Sequence, residues 1–258
     1  MLVFRHYFYR MIKHPLNIGV YWVLPAIIIA LNITIMDFNM EGTLHIVDGF
    51  NLISSGIVIQ IVVMFQLFAT SLVYDLLYAD FRTDRRWRLL AAPRSLGHYL
   101  RANLFAAMII SVISGMIVLT VGRVVFNAYI FNIPVVLATL FVLSAFSMAI
   151  GTIIFLTTTK KSAAEGLAHA VVWPQFIPLM MGLATEGPMF FIFQRATPAA
   201  LGMNAIALSS GFGEHIPGIG SGITDYDMTR SLTYLAILAG LTAVAWVITI
   251  ILGKAKKF

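Results

Sequence analysis

The chain has 258 residues, of which 60% are hydrophobic and only 11% charged, with a formal net charge of +6. A soluble domain carries roughly a quarter charged residues, so this balance and a mean hydropathy of +0.91 exclude an ordinary water-soluble fold and place the chain in a bilayer. With no cysteine in the sequence, disulfide and thiol chemistry are excluded as well.

The N-terminal stretch "MLVFRHYFYRMIKHPLN" sets Phe4, Tyr7, Phe8 and Met11 at i, i+3, i+4 and i+7, with a break at Pro15. That spacing predicts an amphipathic helix over 1–15 carrying Arg5, Arg10 and Lys13. Its aromatic content equally suits an anchor in the interfacial layer. Six runs free of Asp, Glu, Lys and Arg follow, at about 16–36, 51–74, 102–122, 133–157, 166–185 and 232–252. Each approaches the 20 or so apolar residues needed to cross a ~30 Å hydrocarbon core, and continuous apolar runs predict helices, not barrel strands. The first run exceeds the length of a signal-peptide core and ends in "NITIMDFNM", without a small-residue cleavage site, so it is expected to stay in the protein.

Between the second and third runs lies "FRTDRRWRLLAAPRSLGHYLR", with Arg82, Arg85, Arg86, Arg88, Arg94 and Arg101. Asp84 and Arg88 stand at i, i+4, while Leu77, Phe81 and Leu89 fall near one face. Leu90, Ala91 and Ala92 lead to Pro93, which ends the turn. The pattern predicts a short amphipathic helix within a 75–98 segment, able to lie on the membrane or to dock in a groove of a cytoplasmic partner.

Lysine and arginine accumulate on the cytoplasmic side of a membrane. With the N-terminus inside, that side holds Arg5, Arg10, Lys13, the arginines of the 81–101 stretch, Lys160, Lys161, Lys254, Lys256 and Lys257, against Arg123, Arg195 and Arg230 outside. Both termini are therefore expected to be cytoplasmic. The apolar stretch at 187–208 would add a seventh crossing, reverse the C-terminal lysines and put Arg195 in mid-membrane at about 2.5 to 3.5 kcal/mol. With Pro188 and Pro198 interrupting it, this stretch reads instead as short helices dipping into the outer leaflet over 187–210, ahead of a Gly-rich outer loop.

The sequence has no G-x-x-x-x-G-K-[ST] phosphate loop, no H-E-x-x-H, and no i, i+4 pair among its six histidines. ATP binding, a metal site and a catalytic triad thus lack a motif in this chain. Polar residues within the runs include Asn32, Gln60, Gln66, Gln175, Ser111, Ser114, Ser144 and Ser147. Small polar side chains commonly serve helix packing in lipid; Gln60, Gln66 and Gln175 are also candidates for lining a substrate path. No charge sits at mid-depth of a run, which disfavours an ion or proton relay.

The run Arg88-Leu89-Leu90-Ala91-Ala92-Pro93 resembles the R-L-L-A-T-P-like loop of the ABC-2 type permeases, the membrane subunits of ABC exporters. The resemblance extends to six spans, a basic N-terminal segment, and the outer segment "RATPAALGMNAIAL" with Pro198 and Asn204. The chain departs from the pattern at Arg85-Arg86, where Gly-Thr is common. The resemblance implies an all-α integral membrane protein forming one domain over 1–258: six spans, an N-terminal amphipathic helix, a cytoplasmic coupling helix and an outer re-entrant segment. It further implies coupling through Asp84, Arg85, Arg86, Trp87, Arg88, Leu89, Leu90 and Pro93 to a separate nucleotide-binding ATPase that holds ATP and Mg²⁺. A second copy or similar permease is an expected partner, membrane lipid another, and nucleic acid is not. A bacterial plasma-membrane exporter of drugs, antimicrobial peptides or lipids is the implied function. Export of a polysaccharide or cell-wall glycan, or a scaffold recruiting a cytoplasmic partner, are the alternatives.

Overall fold

The computed structural model describes residues 2–13, 19, 23–39, 46–47, 50–91, 95–180, 196–211 and 227–255. Outside this set lie Pro93, Arg94, residues 187–195 of the outer stretch, Lys256, Lys257 and much of the 16–22 region, as do the side chains of Arg88 and Leu90. The described chain is helical apart from two-residue strands β1 (Ile46–Val47) and β2 (Phe50–Asn51), which pair antiparallel. The helices are α1 (Leu2–Lys13), α2 (Leu24–Asn39), α3 (Leu52–Phe81), α4 (Arg85–Leu90), α5 (Leu96–Val125), α6 (Ile133–Thr157), α7 (Lys161–Met180), α8 (Pro198–Ser209) and α9 (Met228–Ala255).

Four helices, α3, α5, α6 and α9, are long and apolar enough to cross a membrane. Two of the six expected spans do not reach that measure among the described residues. The described helix of the first, α2, has 16 residues, and that of the fifth, α7, opens with Lys161 and Glu165 in its first two turns. With 12 residues, α8 spans about 18 Å, short of the hydrocarbon thickness.

The α6 boundaries coincide with the apolar run, because Asn132 caps the start, accepting from the Val135 backbone N–H at 3.4 Å, with Pro134 in the first turn. By contrast α3 continues beyond residue 74, since Leu77 and Phe81 keep a helical spacing and are buried. The expected amphipathic helix is thereby divided. Leu77 and Phe81 belong to α3, the chain bends at 82–84, and α4 starts only at Arg85. Asp84 stands at the N-cap of α4 without a side-chain capping bond, so the Asp84/Arg88 spacing straddles the helix start. The bend is where Arg82, Thr83 and Asp84 turn exposed, and the Thr83 hydroxyl donates back to Ala79 O at 2.5 Å. A continuous helix would have carried these charges into the packed end of α3.

Helix α3 is the axis of the fold, with 78% of its apolar window buried against 22% for α9. Its neighbours approach closely through glycine. A Cβ on Gly151 of α6 would stand 2.7 Å from the Thr70 carbonyl oxygen, and one on Gly122 of α5 would meet Val58 at 2.6 Å. In α9 the buried positions are Ser231, Leu238, Thr242, Ala245 and Thr249, whereas Ile237, Val244, Val247 and Ile251 face outward. Leu238 apart, small and polar inward with large and apolar outward is the reverse of a water-soluble helix. It is the arrangement that lipid solvates and that small-residue packing favours.

Candidate functional site: the charged end of α3

The end of α3 nearest α1 carries Asp80, only 3% exposed. Arg10 of α1 donates from Nη1 to Asp80 Oδ1 at 2.7 Å, and Arg85 of α4 approaches the same oxygen at 3.7 Å. Asn103 of α5 donates from Nδ2 to Oδ2 at 3.3 Å. The Tyr7 hydroxyl of α1 also hydrogen-bonds this carboxylate, and its pKa is raised, chiefly by burial and then by the adjacent negative charge. One buried acid thus gathers groups from three other helices. Placing a carboxylate there is tolerable because it is paired and hydrogen-bonded on both oxygens.

The amphipathic expectation for α1 holds side chain by side chain. Tyr7 and Met11 are buried, with Phe4 and Phe8 packed against the same cluster as Leu77, Phe81 and Phe155. On the opposite face Arg5 and Lys13 lie over the Tyr9 ring at 5.5 and 5.8 Å. Arg10, read from sequence only as a basic residue of this helix, turns toward Asp80.

In α4 the side chains of Arg85, Arg86 and Trp87 are exposed, Trp87 at 72%. Leu89 is half-buried against the cluster that holds Leu77 and Phe81. Asp84 is exposed. A tryptophan that open, beside three arginines, is a surface awaiting a covering medium, whether protein or headgroup layer. Five residues before Asp80, Asp75 receives Lys161 at 3.1 Å, and Glu165 lies 3.6 Å from the same ammonium. The Lys161 pKa is raised, first by its hydrogen bond to Asp75. Both acid-to-base contacts, at Asp75 and Asp80, therefore lie in the last two turns of α3.

The three candidate path glutamines, Gln60, Gln66 and Gln175, take different roles. Gln66 is buried in a knot between α3, α5 and α6: its Nε2 donates to Ser111 O at 2.8 Å, and its Oε1 accepts from Ser111 Oγ at 2.7 Å and Ser144 Oγ at 2.5 Å. Ser147 Oγ donates to Gln66 O at 2.8 Å. Gln175 bridges α7 and α8, donating to Val171 O at 2.7 Å and accepting from Ala199 N at 3.1 Å. Thr197 accepts from Ala200 N at 3.2 Å, so two of the orphan amides at the start of α8 are capped. Gln60 is half-buried and its Nε2 has no hydrogen-bond partner.

Beside these, the α3–α7 flank carries an aromatic group. Phe68 stacks edge-on to Trp173 at 5.3 Å and to His169 at 6.3 Å, and Phe65 is 6.2 Å from Phe68. Trp173 and His169 are exposed. Asp80 was passed over in the sequence; its signal was an acid inside the apolar helical spacing of Leu77 and Phe81. Among the described residues no cluster of side chains could hold a metal ion. Comparison with known proteins returned no matching family model, no matching curated protein and no matching solved structure.

Proposed function

We propose that the chain is the membrane-spanning permease subunit of an ATP-driven exporter of amphipathic molecules, with both termini and α4 on the cytoplasmic side. The observation that carries this reading is α4 itself. A six-residue helix presents exposed Arg86 and Trp87 from the end of the most buried long helix, with Arg85 reaching back toward Asp80. In this reading the short 82–84 bend and the Arg85–Asp80 contact are what link α4 to α3. The sequence pattern around Arg88 and Pro93 supports the same role, as do the basic residues concentrated in the segments assigned to the inside. ATP and Mg²⁺ belong to the partner ATPase in this reading, and a second permease copy completes the pathway.

The flank of Phe65, Phe68, His169 and Trp173 offers amphipathic molecules an aromatic surface open to lipid. Gln66 and Gln175 are engaged in bonds between helices, whereas Gln60 is the one of the three candidates whose side-chain amide has no partner among the described residues.

The test is reconstitution of the purified chain in proteoliposomes with an ATPase encoded beside it, comparing wild type with Trp87→Ala and Arg86→Glu. Burial of a large apolar side chain is worth about 1.5 to 3 kcal/mol, so Trp87→Ala should weaken association roughly 10-fold or more while membrane insertion stays normal. The charge reversal should weaken it in a salt-dependent way. If both variants retain full ATPase association and export while α4 loses affinity for anionic vesicles, α4 is a headgroup anchor and the coupling role is wrong.

A further inference from the structure

We propose that Asp80 is a positioning residue that fastens α1 and α4 to the end of α3 as one rigid unit. The meaning given to that unit, a docking surface for an ATPase, rests on the reading above; the fastening itself does not. Arg10 and Tyr7 come from α1, Arg85 from α4 and Asn103 from α5, and all four converge on one carboxylate. Arg10 and Asp80 are 70 positions apart in sequence, so the contact is a tertiary lock.

The geometry gives the two arginines unequal parts. Arg10, at 2.7 Å with a side chain 28% exposed, makes the close charge-assisted bond; Arg85, at 3.7 Å and 56% exposed, is the looser partner. Among the described side chains of α4, Trp87 and Arg86 face outward and Leu89, half-buried, packs against the cluster that holds Leu77 and Phe81. Removing the carboxylate would loosen both helices together, α1 keeping its apolar packing through Tyr7 and Met11, and would leave Arg10 beside a buried surface with no counter-charge. Removing Arg10 alone should loosen α1 first.

Absence of native cysteine makes the test direct. Cysteines at the exposed positions 6 and 86 (H6C, R86C) carry spin labels in the full chain in lipid nanodiscs without any partner, and their distance distribution is measured in four backgrounds. Wild type should give one narrow peak. Arg10→Ala and Asp80→Asn should each broaden it, and Asp80→Glu should restore it. Amide exchange across α1 should accelerate roughly 10- to 100-fold in Asp80→Asn, as expected for the loss of a charge-assisted hydrogen bond. Because Asp80→Asn could disturb folding, Arg10→Ala carries the same comparison from a half-exposed position. Unchanged distances in both variants would overturn the fastening whatever an ATPase does. Broadened distances, with ATPase association and export unaltered when the same variants are reconstituted with the ATPase, would keep the fastening and overturn the docking role.

Discussion

Gln66 offers the clearest separation between a residue that packs the fold and one that lines a path. Its side chain makes three hydrogen bonds with Ser111 and Ser144, while the Ser147 bond uses its backbone carbonyl and survives any substitution. Polar bonds between helices in lipid average about 0.6 kcal/mol and reach about 1.7. Gln66→Leu, close in volume, should therefore cost roughly 2 kcal/mol, with a ceiling near 5. The freed hydroxyls can turn to carbonyls one turn back in their own helices, which pulls the figure toward the lower value. A further constraint comes from Gly115, where a Cβ would collide with the Gln66 amide. Gly115→Ala should displace that amide and lose the same bonds, so the double variant should cost less than the two singles added. Reversible unfolding in lipid or mixed micelles measures all three. Stability unchanged in Gln66→Leu would refute the knot as a structural element, and lost transport at unchanged stability would return Gln66 to the substrate path.

Other substitutions probe the remaining contacts. Gly151→Ala should cost about 1 to 3 kcal/mol, because the new methyl meets the Thr70 backbone oxygen and neither helix axis can yield cheaply. Gly240→Ala, where nothing lies within 4 Å, should be neutral in the same unfolding assay. Gln175→Ala should cost about 1 kcal/mol as a lost cap and speed hydrogen exchange at Ala199, the amide it accepts from. The raised Tyr7 pKa means that its donated bond is fully present below the ordinary tyrosine pKa of 10.0 and is lost only as pH rises past the elevated value. Tyr7→Phe should thus loosen α1 equally at neutral and mildly alkaline pH, read by exchange. For topology, cysteines at 85 and 256 should resist an impermeant thiol reagent in intact cells while one at 222 labels; labelling at 256 would break the six-crossing count.

The long apolar helices and the amphipathic α1 were legible because their signals are local: run length for α6, a 3.6-residue period for Tyr7 and Met11. The division of the 77–92 segment was not, because Leu77, Phe81 and Leu89 satisfy one helical face on paper. Only the packed neighbours of Phe81 reveal that α3 absorbs the first two and leaves the third to α4. Of the serines expected to serve packing, Ser111, Ser144 and Ser147 bond Gln66 across helices, while Ser114 donates to Ile110 O of its own helix. Gln66 could not be decided from sequence, since a glutamine bonded to Ser111 and Ser144 and one facing a pathway look the same until α5 and α6 are placed beside it.

Asp80 shows why the most consequential side chain at this end escaped notice. Six arginines in the 81–101 stretch drew the reading toward charge that faces outward, and positive residues there are explained by membrane orientation alone. An acid beside them looks like ordinary compensation. Its burial changes the argument, because a carboxylate removed from water must be met by donors fixed in place, and the donors present come from α1, α4 and α5. A basic segment at a membrane surface can serve as an anchor with every arginine loose. Here Arg10 and Arg85 are drawn back to Asp80 while Arg86 and Trp87 stay exposed, so the surface has a held side and a presented side, and it is the presented side that a partner would meet.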